Sequence, residues 1–213
     1  VLSEDRLLDG RVRLRQPQTG LRAGHDAVLL AAAVPARPGE TVLELGCGSG
    51  AVFLCLMARV PDLTVMAVER DAAMAELARE NAALNGVAAR VAVLTGDVAD
   101  RALRSALPRV AHGFANPPYW PAGTPPPEAI RAAATHAGDV PLEDWAACLG
   151  QAVAHRGSAT LVLPAARFAD GAAALTDAGF GSLALFPLWP RAGQPARRLL
   201  LGARRGGRGP ARG

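Results

Sequence analysis

Thr41-Val42-Leu43-Glu44-Leu45-Gly46-Cys47-Gly48-Ser49-Gly50 decides the fold. A short apolar and β-branched run stops at three glycines on alternate positions, and a second apolar run over residues 51–58 follows. That order reads as a buried strand, a turn with backbone angles closed to most side chains, and a helix. Glycines at such a turn let the main chain approach a nucleotide-like ligand more closely than any Cβ would allow. Gly46, Gly48 and Ala51 also satisfy the relaxed dinucleotide fingerprint, so the glycines alone leave the ligand open.

The alternation continues outward from this turn. Thr64–Glu69 reads as a second strand, Ala72–Leu84 as a helix stopped by Asn85-Gly86, and residues 90–94 as a third strand. Arg101–Ala106 reads as a short helix, and Val110–Ala115 as a fourth strand ending in Asn116-Pro117-Pro118-Tyr119. Beyond a proline-rich loop at 123–127, an amphipathic helix is expected over 141–155, a strand over 158–163 and a helix over 165–178. A hairpin of 183–189 with 197–203 closes the pattern. Upstream, residues 11–16 alternate like a strand, and Asp26 is placed to cap an apolar helix over 27–34. The expected fold is α/β: one doubly wound, mostly parallel seven-stranded sheet with an antiparallel C-terminal hairpin. Residues 1–40 form an extension of strand plus helix packed on the core, 41–203 the main domain, and 204–213 a basic flexible tail.

Composition removes several function classes. The 213 residues and 21.9 kDa suit one such domain, and 50% hydrophobic against 20% charged residues is a globular balance rather than a disordered one. No apolar run reaches the roughly 18 residues a membrane span needs. The first ten residues carry Glu4, Asp5, Arg6 and Asp9 instead of a basic then apolar stretch, so no secretory leader is expected in them. Cys47, Cys55 and Cys148 are too few and too scattered for a disulfide framework or a zinc site, so a reducing cytoplasm is expected. His25, His112, His136 and His155 lack ligand spacing, and no metal is expected. Cys47 has no paired base and reads as a small loop residue. All 23 basic residues are arginine and the net charge is +4, a balance compatible with nucleic acid.

The carboxylate of Glu69, ending the second strand, suits the two hydroxyls of a ribose, which NAD and S-adenosylmethionine share. Glu44 before the glycines, Gly96-Asp97-Val98 after the third strand and Asn116-Pro117-Pro118-Tyr119 after the fourth separate the two cofactors. Methyl transfer to a planar nitrogen requires its lone pair to be turned out of conjugation. The Asn116 side-chain oxygen and the Pro117 carbonyl, held by two φ-restricted prolines, can accept both hydrogens of an exocyclic amine. Tyr119 can stack on the base. Trp120 reads equally as a stacker of a flanking nucleotide or as a cover for the core edge.

This combination resembles the class I S-adenosylmethionine-dependent methyltransferases. The resemblance implies that Glu44 helps hold the amino-acid moiety of S-adenosylmethionine and that Asp97 meets its adenine amine, S-adenosylhomocysteine being the product. More narrowly, the chain resembles the bacterial methyltransferases that make N6-methyladenosine in a valine tRNA. It does so through residues 13–17 with 21–26, the glycine loop, the Asn-Pro-Pro-Tyr, Leu142-Glu143-Asp144-Trp145, and residues 187–191 with 196–200. By that likeness Arg22 and Asp26 border the cofactor, and Gly46, Gly48, Gly50, Glu69, Arg70, Asp97, Val98 and Asn116 complete its site. Asn116, Pro117 and Tyr119 are the catalytic set, and Trp120, Arg131, Arg191 and Arg198 face RNA. The implied substrate is a tRNA anticodon-loop adenosine, with no metal and no membrane, and the oligomeric state stays open. Two rival enzyme classes share parts of the pattern, the release-factor glutamine N5-methyltransferases and the rRNA guanine N2-methyltransferases. The former usually carry a helical domain before the glycine loop, where this chain has residues 1–40.

Overall fold

Strand β3 (Thr41–Leu45) lies inside the main sheet, bonded in parallel on one side to β4 (Thr64–Glu69) and on the other to β6 (Val110–Ala115). Strand β5 (Val91–Thr95) extends the sheet beyond β4, and β7 (Val153–Pro164) lies parallel to β6. The C-terminal pair β8 (Phe180–Leu188) and β9 (Arg198–Arg205) completes a seven-stranded sheet of order β5-β4-β3-β6-β7-β9-β8, with β9 antiparallel to both its neighbours. The computed structural model describes residues 1–19, 22–118 and 140–213.

Because side chains alternate across a sheet, each strand feeds two cores. Val42, Val65, Ala67, Phe114 and Val162 point to the side of α1 (His25–Ala33), α2 (Ala51–Arg59) and α3 (Ala72–Leu84). Leu43, Leu45, Leu161, Leu163 and Leu201 point to that of α5 (Leu142–Ala152) and α6 (Phe168–Asp177). A short helix α4 (Arg101–Ala106) lies between β5 and β6. Asp71 and Asp100 cap α3 and α4, accepting hydrogen bonds from Ala73 N and Ala102 N, both at 2.8 Å. The doubly wound, mostly parallel sheet is therefore as expected.

Several expectations are corrected. The N-terminal extension holds a hairpin, not one strand, because β1 (Leu2–Leu7) pairs antiparallel with β2 (Val12–Pro17). Asp26 is not the cap of α1: Gly24 occupies that position, and Asp26 sits in the first turn, where its charge favours the helix dipole. The helix expected over 141–155 ends at Ala152, and β7 begins at Val153 rather than 158. Its first residues bulge against β6, with Arg156 at φ +67°, a conformation no helix continues through. The tail expected over 204–213 begins inside β9 and then returns along β8. Arg212 N donates to Leu183 O and Leu185 N to Arg212 O, both at 2.8 Å.

Candidate active site

Strand order reverses between β3 and β6, since the chain moves from β3 toward β5 and then returns to the other side of β3. Parallel α/β sheets bind ligands in the crevice at such a switch, beyond the carboxyl ends of the strands. Leu45 and Ala115 are register partners there, so Gly46 and Asn116 stand side by side, one residue beyond each strand. The two sequence features that carried most of the chemistry thus meet at one point.

The three loop glycines are not equivalent. All have positive φ: +66° at Gly46, +53° at Gly48 and +89° at Gly50. A Cβ on Gly46 would lie 2.7 Å from Cη2 of Trp145, and one on Gly50 2.5 Å from Cζ of Phe53, so there the missing side chain makes room for the protein's own core. At Gly48 the nearest atom is Met74 Cε at 3.9 Å. Gly48 alone of the three therefore has the open face that suits an approaching ligand.

Three carboxylates stand at or just past the ends of β3, β4 and β5. Glu69 is half-buried and accepts from Gly48 N at 2.8 Å and Asp71 N at 2.9 Å, which fixes the loop and leaves each oxygen acceptor capacity for a diol. Glu44 is 2% exposed and accepts from Phe53 N, in the first turn of α2, at 2.9 Å. Burial pushes its pKa well up, the Phe53 bond opposes this, and the nearby charge of Glu69 adds to the rise. Asp97, half-buried after β5, accepts from Ala99 N at 2.8 Å. Cys47 is buried and its thiol is pushed far up, first by burial and then by Glu44 and Glu69, so it offers no thiolate.

Asn116 is half-exposed, and among the described residues its side-chain amide makes no hydrogen bond. Pro117 is buried and Pro118 exposed. Tyr119, Trp120 and Arg131, named above for catalysis and RNA, lie outside the described residues, as does His136.

Other expected site residues are engaged elsewhere. Arg22 donates to Ser3 Oγ, Pro17 O and Asp5, tying it to the N-terminal hairpin. Asp26 pairs with Arg198 at 3.3 Å, joining α1 to the start of β9. Val98 packs its side chain into the α5 core while its carbonyl accepts from Arg104, which also pairs with Asp144 at 2.6 Å. Arg70 and Arg191 are exposed. Two residues escaped sequence reasoning as parts of the site: Trp145, lying against Gly46, and Asn81, whose Nδ2 donates to Ser49 O at 2.9 Å. The asparagine pair Asn81 and Asn85, one helical turn apart, was the available signal.

The methyltransferase small domain model matches residues 23–137, more than half of the chain. The chain belongs to the methyltransferase small domain family. Within this family it is similar to the tRNA1(Val) (adenine(37)-N6)-methyltransferase of Aeromonas hydrophila, 33% identical over 87% of this chain and 78% of that protein. The enzyme of the same name from Porphyromonas gingivalis is 31% identical over 72% of this chain, the match spanning 63% of its own length. Among solved structures, a predicted O-methyltransferase, protein Atu636 from Agrobacterium tumefaciens, superimposes with a TM-score of 0.71 at 31% identity, over 88% of this chain and 83% of that one. TrmN from Thermus thermophilus shares the fold, with a TM-score of 0.61 at 23% identity over 84% of this chain and 48% of that one.

As a class I methyltransferase small domain protein, the chain takes S-adenosylmethionine as its cofactor. The residues present fit it. S-adenosylmethionine carries a ribose diol and two cationic groups, and the loop offers an acceptor pair at Glu69 for the diol, an open face at Gly48 and the carboxylate of Glu44 beneath it. Among the described residues no helix is long and apolar enough to cross a membrane.

Proposed function

We propose that this protein methylates the exocyclic N6 amine of an adenosine in tRNA, an unpaired anticodon-loop adenosine being the favoured target. The observation that carries the reading is Asn116. It stands beside Gly46 at the switch point, half-exposed, with an amide oxygen that no described residue uses. S-adenosylmethionine supplies an electrophilic methyl group when bound. Asn116 and the Pro117 carbonyl accept the two amine hydrogens, which orients the nitrogen lone pair and stabilises the positive charge that develops on it. The proton leaves after transfer, so no buried base is required. An unpaired loop base reaches such a site at the lowest unstacking cost. The Aeromonas and Porphyromonas relatives are named for this reaction, which supports the same substrate class. Of the three arginines expected to face RNA, Arg131 lies outside the described residues, Arg191 is exposed and Arg198 already engages Asp26.

The test supplies radiolabelled cofactor with separate pools of unmodified tRNA, rRNA and release factor, and digests the labelled product. N6-methyladenosine from tRNA is expected. N5-methylglutamine or N2-methylguanosine would move the protein to one of the rival classes. Asn116→Ala should lose most turnover while binding S-adenosylmethionine as the parent does, and a fully active variant would overturn the assigned role.

A further inference from the structure

Charge in this chain is segregated by position. Residues 178–213 hold seven arginines and no carboxylate, while residues 1–177 hold 16 arginines against 19 carboxylates. The positive charge of the whole protein therefore resides in β8, β9 and the segment after them. Three of the seven arginines are committed internally. Arg198 pairs with Asp26, Arg204 donates to Arg156 O, and Arg205 donates to Gly150 O and Gly179 O while lying 5.7 Å over the Phe180 ring. Arg191, Arg197, Arg208 and Arg212 are exposed, and among the described residues their guanidinium groups make no hydrogen bond or ion pair.

Two large exposed aromatic residues occupy the same region: Phe186 in β8 is 62% exposed and Trp189, just past it, 59%. Strand β8 is the edge of the sheet. The C-terminal segment pairs along it at Leu183–Leu185, and Gly209 N donates to Ser182 Oγ at 2.8 Å, which sets Arg208 and Arg212 beside that edge. Strands β7 and β8 are each antiparallel to β9, so β8 runs parallel to β6 and its carboxyl end lies at the switch-point end of the sheet. Two strands separate β8 from β6. Through Val162 and Leu200 the register sets Phe186 level with Asn116, about 14 Å away across the sheet at about 4.8 Å per strand, and Trp189 lies three residues farther along the chain.

We propose that the β8 edge and the C-terminal segment laid along it form a docking strip for the unpaired RNA flanking the target base. Phe186 and Trp189 stack bases, and Arg191, Arg197, Arg208 and Arg212 bind phosphates. Flat apolar rings interleaved with uncommitted arginines match a flexible polyanion with π faces. A second copy of the chain is a poor occupant, because two such strips repel and the bound C-terminal segment blocks part of the edge from pairing with another sheet. The strip rests on the RNA reading given above and extends it from the target base to its neighbours.

The test compares the full chain with Phe186→Ala/Trp189→Ala and with Arg191→Gln/Arg197→Gln/Arg208→Gln/Arg212→Gln. Binding of an oligoadenylate and of bulk tRNA is measured against salt, and KM for tRNA in methyl transfer is measured beside it. Both aromatic positions are exposed, so thermal unfolding checks that the fold is kept. The ring variant should bind oligoadenylate roughly tenfold or more weakly with an unchanged salt slope. The arginine variant should bind more weakly with a shallower slope, by about 0.7 for each phosphate of a single strand that is no longer neutralised. KM for tRNA should rise in both. If the parent methylates tRNA and both variants keep its affinities and KM, the strip is wrong and the RNA reading stands. A parent that neither binds nor methylates RNA overturns both.

Discussion

Asn81 holds Arg15 by both of its main-chain groups. Its Oδ1 accepts from Arg15 N at 2.9 Å and its Nδ2 donates to Arg15 O at 2.8 Å, while the same Nδ2 reaches Ser49 O in the glycine loop. Asn85 repeats the arrangement with Arg13, at 2.9 and 2.6 Å. A helix thereby presents to β2 the donor and acceptor pattern that a neighbouring strand would offer, and the fully buried Asn81 links the N-terminal hairpin to the cofactor loop. Replacing Asn81 by Leu leaves the Arg15 and Ser49 groups without partners, so a loss of about 2–3 kcal/mol in denaturant unfolding is expected. Asn85→Leu, less buried and remote from Ser49, should cost less and leave cofactor affinity unchanged. Equal effects of the two on cofactor affinity would show that the link to Ser49 does not matter.

The glycine loop separates packing from ligand approach. Gly46→Ala and Gly50→Ala add a left-handed strain of about 1–2 kcal/mol to a clash with Trp145 or Phe53 costing about 1–3 kcal/mol. Gly48→Ala carries the first cost without the second. Its thermal midpoint should fall less than those of the other two while its affinity for S-adenosylmethionine falls clearly. A Gly48→Ala protein with parental affinity would remove Gly48 from the ligand face.

Glu44 makes a prediction about pH with a definite sign. Its folded pKa is raised above the ordinary 4.5, so its contribution to stability is full below that value and declines as pH rises toward the folded value. Glu44→Gln keeps an acceptor for Phe53 N without burying a charge. Between pH 4.5 and 8 the cofactor-free variant should therefore gain in unfolding temperature relative to the parent, ending above it. It should also bind the cationic cofactor more weakly. A variant that melts below the parent at pH 8 would show that the charge costs nothing there.

At the opposite end of the sheet, His112 lies between Ser158 Oγ, 2.8 Å from its Nδ1, and Glu40, 3.1 Å from its Nε2. Burial lowers its pKa and outweighs the attraction of Glu40, with Arg37 and Arg204 also disfavouring a proton. Stability from this group is present above the unfolded value of about 6.5 and is lost as pH falls through it. The parent's free energy of unfolding should fall between pH 7.5 and 5.5, and His112→Gln should flatten that slope. An identical slope in the variant would assign the effect to other groups.

From Thr41 to Pro118 the sequence alone settled the order of the main strands and helices, the glycine turn and the place of Asn116 at a strand end. Those features follow from local causes: side-chain period and the dihedrals of proline and glycine. Tertiary structure alone decided which polar groups meet. Asp26 and Arg198 are 172 residues apart, and Arg198, expected to face RNA, is drawn to Asp26 by the docking of α1 beside β9. The end of α5 at Ala152 was hidden in a sequence equally able to continue as a helix, because the pairing of Val153 with Val110 is a choice made across the sheet. The return of residues 206–213 along β8 has the same origin: an edge strand offers unpaired main-chain groups to any segment, and composition does not say which segment will take them. Side-chain period and backbone angle are written residue by residue, whereas a hydrogen-bond partner far along the chain is selected by burial, which exists only once the layers have packed.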